Sequence, residues 1–162
     1  YQYLEKHDRA FLTRLVEGTV ELLLELDYII NQFSKVPVHK MKPVIRGILR
    51  MSVYQIKYMD RIPDAAVCNE AVKLAGKKGF SSLKGFVNGV LRNISRNLSS
   101  VEYPDLSVRY STPEWIVRQW TDEYGEDTAR RMLESQYEER PITVRVNLHR
   151  ISKEKLMERL VS

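Results

Sequence analysis

The sequence predicts an all-α helical bundle for residues 1 to about 140, followed by the start of an α+β unit. Two observations support this prediction. Apolar residues recur at three- and four-residue spacing along most of the chain, and proline or glycine interrupts that spacing at distances typical of ordinary helices. Near residue 142 the spacing changes to strict alternation. We therefore expect a bundle over residues 1–98, connector helices over 99–141, and an opening strand and helix over 142–162.

The first three helices should supply most of the core. The first is predicted from Asp8 to Phe33, where the apolar stripe is wide enough to be buried on more than one side. Pro43 lies near the first turn of a second helix, a position that proline favours. Pro63 opens a third helix, and Gly79 supplies its stop signal.

A fourth helix is expected after Ser81 or Ser82, because either hydroxyl can cap it. Residues 99–111 are predicted to form a connector with one helical turn. The segment Ser111–Glu114 has the pattern of a capping box with proline in the first turn, and it should open a fifth helix that ends at Gly125.

The last part of the chain should differ from the bundle. A sixth helix is expected to stop at Pro141, after which residues 142–147 alternate apolar and polar side chains. A further helix should begin near Ser152. Strand followed by helix indicates the opening of an α+β subdomain.

Positive charge is concentrated in the middle of the chain. The formal net charge is +5, but residues 35–96 carry thirteen Lys and Arg against three acids, whereas residues 101–162 carry ten basic and twelve acidic residues. This asymmetry favours contact between the first part and a polyanion. The alternative is that the cations only keep the outer faces of the bundle solvated.

On the expected second helix, the cations lie on one side, beside the apolar face rather than within it. On the third helix Lys73 and Lys77 are four residues apart, and on the fourth Lys84, Arg92 and Arg96 share a side. Arginine can grip a phosphate with two donors and lysine acts as a point charge, so these residues could hold an RNA backbone. Tyr54, Tyr58 and Phe80 are candidates for stacking on bases, although Tyr58 could equally belong to the core. The predicted RNA-binding residues are Lys42, Arg46, Arg50, Lys57, Lys73, Lys77, Lys78, Lys84, Arg92 and Arg96.

Two glycines in the expected fourth helix require an explanation. Gly85 and Gly89 lie four residues apart, and each costs about 1 kcal/mol relative to alanine. Together they form a smooth stripe that would let another backbone come close. Close packing of a second helix is the favoured interpretation, and direct contact with RNA is the alternative.

The sequence predicts no catalytic residue and no cofactor or metal site in this chain. It contains no glycine-rich dinucleotide or phosphate-binding motif, and therefore no visible S-adenosylmethionine site. His7, His39 and His149 lack the spacing of metal ligands. Cys68 should be at least partly buried, where a thiol behaves as a small apolar residue rather than a nucleophile.

The ends and the hydropathy suggest a fragment of a cytoplasmic protein. No apolar run approaches the roughly 18 residues that span a bilayer, and the first residues are polar, unlike a signal peptide. The chain begins with Tyr1 and stops soon after its last helix has begun. We therefore expect a longer parent protein.

Two segments resemble the paired signatures of the NusB-like fold. They are Ala66–Ala75 (AVCNEAVKLA) and Phe86–Arg92 (FVNGVLR). The resemblance covers residues 4 to about 98 and implies a bundle that normally begins with a further helix upstream. Cys68 stands where that family often has an aliphatic residue, in line with a packing role. Supporting matches are Asp8–Phe11, Leu15–Gly18, Ile48–Met51 and Ile62–Pro63.

The continuation of the chain resembles the RsmB (Sun/Fmu) methyltransferases through Ser111–Ile116 (STPEWI) and Pro141–Asn147 (PITVRVN). That family methylates carbon 5 of a cytosine in small-subunit ribosomal RNA. The resemblance implies that S-adenosylmethionine and two catalytic cysteines belong to a catalytic domain that this chain lacks, so no catalytic residue can be carried over. It also implies two partners, small-subunit rRNA and the missing catalytic domain.

Other functions are compatible with the same sequence. A NusB-type transcription antitermination factor would bind RNA together with a small ribosomal protein. A structural module would dock onto the catalytic domain without touching RNA. NusB-like proteins sometimes pair through helical faces, so a homodimer is a further alternative.

Overall fold

The computed structural model describes residues 5–138 and 143–161. All regular secondary structure within those ranges is helical, which confirms the all-α prediction. None of the helices in these ranges combines the length and apolar character required to cross a bilayer. The helices are α1 (Lys6–Glu21), α2 (Leu23–Phe33), α3 (Pro43–Tyr58), α4 (Asp64–Lys77), α5 (Lys84–Asn97), α6 (Leu106–Arg109), α7 (Glu114–Tyr124), α8 (Glu126–Ser135) and α9 (Lys153–Val161).

Helix α3 lies at the centre of the bundle and packs against α1, α2, α4 and α5. Its apolar face is the one that the spacing predicts, and Leu49 and Val53 on that face are fully buried. Burial of an aliphatic side chain of this size stabilises the fold by roughly 1.5–3 kcal/mol. The continuous core is therefore made by α1 to α5.

The predicted first helix is divided at Leu22 into α1 and α2. The backbone of Leu22 has φ −99° and ψ 21°, outside the helical range. Backbone hydrogen bonds nevertheless continue across it, since Leu22 N donates to Gly18 O and Leu26 N donates to Leu22 O. The side chains of Leu22 and Leu26 are both buried in the core, so packing compensates for the irregular turn.

The turn between α4 and α5 agrees with the sequence only in part. Gly79 ends α4 as predicted, with a positive φ of 84° that glycine adopts without steric cost. The predicted caps at Ser81 and Ser82 are wrong, because both serines lie in a 3-10 turn and Leu83 occupies the N-cap position without a side-chain bond. Leu83 N donates to Phe80 O at 2.9 Å, so the backbone closes this turn by itself.

The connector contains the predicted single helical turn, α6, which Asp105 caps by accepting a hydrogen bond from Val108 N at 2.8 Å. The capping box predicted before α7 is not formed. Ser111 Oγ instead accepts from Leu24 N of α2 at 3.0 Å, and Thr112 Oγ1 donates to Tyr110 O. These side chains therefore fix the connector rather than the helix that follows.

The predicted strand is not formed in the part of residues 142–147 that the structure describes. Residues 143–147 have no regular structure, and residue 142 and the predicted stop at Pro141 lie outside the described ranges. A strand is stable only when it pairs with a neighbour, and no described residue pairs with this segment. The helix predicted after Ser152 is present as α9.

Candidate nucleic-acid interface

A shallow groove of about 440 Å³ runs between α4 and α5 and is lined by basic and polar side chains. Lys73 of α4 and Lys84 and Arg92 of α5 stand along it. Asn69 and Asn88 add amide groups that can donate to phosphate or sugar oxygens. The packing of α4 against α5 thus brings together three of the ten predicted RNA-binding residues.

Each of these three cations is held by a weak local contact. A Cβ atom on Gly76 would overlap the end of the Lys84 side chain, so Lys84 lies against the last turn of α4, where a cation suits the helix dipole. Arg92 Nε donates to Asn88 Oδ1 at 3.1 Å. Lys73 pairs with Glu70 at 2.7 Å, but both side chains are largely exposed, and such surface pairs contribute little.

Five other predicted residues lie outside this groove. Lys77 and Lys78 extend the positive surface at the end of α4, and Arg96 does so near the end of α5. Lys42 precedes α3, where Arg46 is half-buried. Within the described ranges, no carboxylate oxygen lies within 4.0 Å of a side-chain nitrogen of these five residues, so none of them forms an ion pair there.

Arg50 and Lys57 do not belong to a free cationic face, contrary to the expectation of a single surface shared by α3, α4 and α5. Arg50 donates to both carboxylate oxygens of Asp27 on α2, at 2.7 and 2.6 Å. Lys57 forms an ion pair with Glu25, also on α2. The ammonium and guanidinium groups therefore neutralise acids inside the protein, and we remove both residues from the candidate interface.

Glu25 anchors a network that the sequence reasoning missed. Its side chain is 1% exposed, yet it accepts hydrogen bonds from Tyr58 at 2.5 Å, from Tyr103 at 2.6 Å, and from Lys57. Burial raises the pKa of the Tyr58 and Tyr103 hydroxyls, and their bonds to the carboxylate raise it further. The sequence did contain a signal for this network, because Glu25 lies within the apolar stripe of the predicted first helix. A charge buried there requires hydrogen-bond or ion-pair partners.

The aromatic residues proposed for base stacking pack mainly against the protein, although Tyr58 and Phe80 are partly exposed. Tyr54 is buried and its ring stacks on Tyr58 with 5.4 Å between centroids. Phe80 packs against the core. Stacking on bases by Tyr54, Tyr58 and Phe80 is therefore not supported.

Cys68 is buried as predicted, and burial raises the pKa of its thiol. The cysteine therefore has a packing role.

Gly85 and Gly89 face open space. A Cβ atom added at either position would meet no atom within 4 Å, so the favoured interpretation of close helix packing is wrong. Both residues are exposed, and Gly85 lines the α4–α5 groove. The glycines leave a smooth strip of backbone beside the three groove cations.

A larger open cleft of about 1020 Å³ lies between the bundle and the connector, and its charge is unsuited to RNA. Five carboxylates line it, against three cations. A net negative lining repels a polyanion. The α4–α5 groove is therefore the better candidate for nucleic acid.

The described residues form a helical domain centred on α3, with a basic groove between α4 and α5 and a connector hydrogen-bonded to α2. Residues 1–96 match the NusB family, and the chain belongs to that family. Residues 112–162 match the ferredoxin-like domain of the RsmF/B-like methyltransferases. This second match begins at residue 112, whereas the α+β unit was predicted to begin at residue 142.

The chain is similar to proteins named as ribosomal RNA small subunit methyltransferase B. It is 35% identical to the probable enzyme of Bacillus subtilis (strain 168) over 98% of this chain and 37% of that protein. The probable enzyme of Synechocystis is 35% identical over 75% of this chain and 30% of the relative. The enzyme of Escherichia coli O1:K1 is 29% identical over 90% of this chain and 34% of the relative. The chain therefore spans about a third of the length of these relatives.

Proposed function

We propose that this chain is the RNA-binding N-terminal part of an S-adenosylmethionine-dependent small-subunit rRNA (cytosine-5)-methyltransferase. It would hold rRNA in the cytoplasm for a catalytic domain that binds the methyl donor. The names of the relatives support the rRNA methyltransferase class. The observation that carries RNA binding is the α4–α5 groove, which gathers Lys73, Lys84 and Arg92 on one surface.

The distribution of charge supports this assignment of the surface. The groove cations have only an exposed carboxylate, Glu70, as an ion-pair partner in the described ranges. Exposed pairs are easily exchanged for phosphate contacts because both partners remain hydrated. By contrast, Arg50 and Lys57 would leave carboxylates unpaired if they turned outward, which is costly when the acid is buried.

The proposal also divides the chain by role. The bundle to about residue 98 contacts rRNA, and the residues that follow connect it to the remainder of the enzyme. The match of residues 112–162 to a methyltransferase-associated domain favours an enzyme over a NusB-type antitermination factor. The alternative is a docking module that does not contact RNA, and the following experiment distinguishes it from an RNA-binding domain.

The groove is tested by the triple variant Lys73→Gln, Lys84→Gln and Arg92→Gln, with binding to a helix-junction fragment of small-subunit rRNA measured at several salt concentrations. We expect the affinity at low salt to fall by roughly tenfold or more. Each phosphate contact on a single strand contributes about −0.7 to the log–log salt slope. Loss of three contacts should therefore make the slope shallower by roughly 2.

The matched control removes the same charge elsewhere, through Arg118→Gln, Lys153→Gln and Lys155→Gln on α7 and α9. It should retain the parent slope, because these side chains do not line the groove. Equal losses in both triple variants would indicate nonspecific attraction to net charge. Unchanged binding by the groove variant would rule out the groove as the RNA site.

A further inference from the structure

We propose that Glu25, Lys57, Tyr58 and Tyr103 form a clasp between the bundle and the connector, which here means residues 99–111. By fixing the connector, the clasp sets the orientation of the ferredoxin-like region, residues 112–162, relative to the α4–α5 groove. The clasp joins three separate parts of the chain, because Glu25 belongs to α2, Lys57 and Tyr58 to α3, and Tyr103 to the connector. It gives the connector a defined role in the proposed function. Its existence does not depend on RNA binding.

The geometry of the clasp makes Tyr103 the link to the connector. The Tyr103 hydroxyl donates to Glu25 Oε1 at 2.6 Å and accepts a hydrogen bond from Lys57 Nζ. The ammonium also lies 4.9 Å from the centre of the Tyr103 ring, within cation–π range. A single side chain of the connector thus contacts both charges of the ion pair.

The burial of Glu25 explains why the clasp should resist opening. A carboxylate removed from water must keep its hydrogen bonds, because an unsatisfied buried charge is strongly unfavourable. If the connector left the bundle, Glu25 would lose the Tyr103 donor while Lys57 and Tyr58 remained. The free energy of this contact therefore favours the docked connector over a free one.

Contacts on either side of Tyr103 continue the attachment towards the C-terminal helices. Tyr28 donates to Glu102 O at 2.9 Å, and Leu24 N donates to Ser111 Oγ at 3.0 Å. The next contact reaches α8, since Tyr110 donates to Glu134 Oε1 at 2.8 Å. The path from α2 through the connector to α8 is thus hydrogen-bonded at each step, which suits an element that transmits orientation.

The first test measures hydrogen–deuterium exchange of the parent chain and of Tyr103→Phe. Tyr103→Phe removes only the connector's hydroxyl and leaves the ion pair of Glu25 with Lys57 in place. Hydrogen bonds to charged groups correspond to roughly tenfold to hundredfold changes in a local opening equilibrium. We expect exchange of the amides of residues 101–112 to increase by about that factor, with α4 and α5 unchanged.

Asp27→Asn is the matched control. Asp27 lies on the same helix as Glu25 and also pairs with a cation of α3, Arg50, and its hydrogen bonds in the described part of the chain go to that arginine rather than to the connector. The substitution should loosen the bundle without selectively exposing residues 101–112. The clasp is overturned if Tyr103→Phe changes exchange of residues 101–112 by less than about threefold, or if Asp27→Asn exposes that segment equally.

The second test asks whether the clasp sets orientation. Spin labels at Ser82→Cys and Asp127→Cys, both exposed positions, report the distance between the α4–α5 turn and α8. Buried Cys68 should react slowly with the label. We expect Tyr103→Phe to broaden this distance distribution while RNA affinity stays unchanged. An unaltered distribution would overturn the proposed role in orientation, whatever the result of the RNA experiment.

Discussion

At the scale of single residues, Gly18 and Gly47 show that the same residue type can have opposite consequences in one bundle. A Cβ atom on Gly18 would overlap the ring of Tyr54, whereas one on Gly47 would meet nothing within 4 Å. We therefore expect Gly18→Ala to lower the free energy of unfolding by about 1–3 kcal/mol through overpacking. Gly47→Ala should raise it by up to about 1 kcal/mol through helix propensity.

Urea denaturation of both variants checks this prediction, with the midpoint compared at constant m-value. Each variant is the control for the other, because both replace a helical glycine with alanine. Stabilisation by both substitutions would mean that Tyr54 can move away from α1 without loss. Destabilisation by both would mean that Gly47 also has a close neighbour.

The charged residues mark how far the sequence could predict the candidate site. Helical spacing predicts that Lys84 and Arg92 share one side of a helix, and both line the α4–α5 groove, because periodicity is a local property. It could not show that Arg50 and Lys57 are neutralised, since their partners lie 23 and 32 residues away in sequence. Ion pairing between helices depends on tertiary packing, which a single sequence does not specify.

At the scale of the element, the exposed glycines of α5 separate stability from binding. Gly85→Ala and Gly89→Ala introduce methyl groups into open space, so together they should raise the free energy of unfolding by up to about 2 kcal/mol. If a phosphate backbone lies along this strip, the same methyl groups should weaken RNA binding. We expect a double variant that is more stable than the parent and binds the rRNA fragment severalfold more weakly.

Thermal unfolding and RNA titration of the same preparation measure the two effects. Gly47→Ala is the control, because it also adds a methyl group to an uncrowded helical position but lies on α3, away from the groove. It should gain stability with unchanged affinity. Full RNA affinity in the double glycine variant would show that no backbone approaches α5 at these positions.

Element boundaries followed from the sequence where backbone chemistry marks them. Gly79 and Gly125 both adopt positive φ and end helices as predicted. The break at Leu22 could not be predicted, because neither glycine nor proline occurs there and the apolar period continues through it. The serine caps and the capping box failed for another reason: these hydroxyls lie in a backbone-closed turn or contact a distant helix. A local sequence pattern does not show whether a hydroxyl will cap a helix or form a hydrogen bond elsewhere.

At the scale of the whole molecule, the described residues differ greatly in how much they bury. The continuous core runs from Leu15 to Ile94, and Ala129 and Leu133 of α8 are also buried. In residues 143–160, by contrast, no described side chain is buried. Residues 1–96, matched to the NusB family, therefore contain most of the interactions that resist unfolding.

This distribution predicts that ending the chain after Glu138 will change the free energy of unfolding by less than about 0.5 kcal/mol, the usual range for changes away from packed residues. Helix α9 has nine residues, a length that is marginal in isolation, and its Met157 and Leu160 are largely exposed. Urea denaturation of the shortened and complete chains gives the comparison, and exchange protection of α3 should be identical in both. A loss above roughly 2 kcal/mol would mean that residues after 138 stabilise the bundle directly, beyond the usual range for such positions. The bundle would then depend for its stability on the last part of the ferredoxin-like match, which runs from residue 112 to 162.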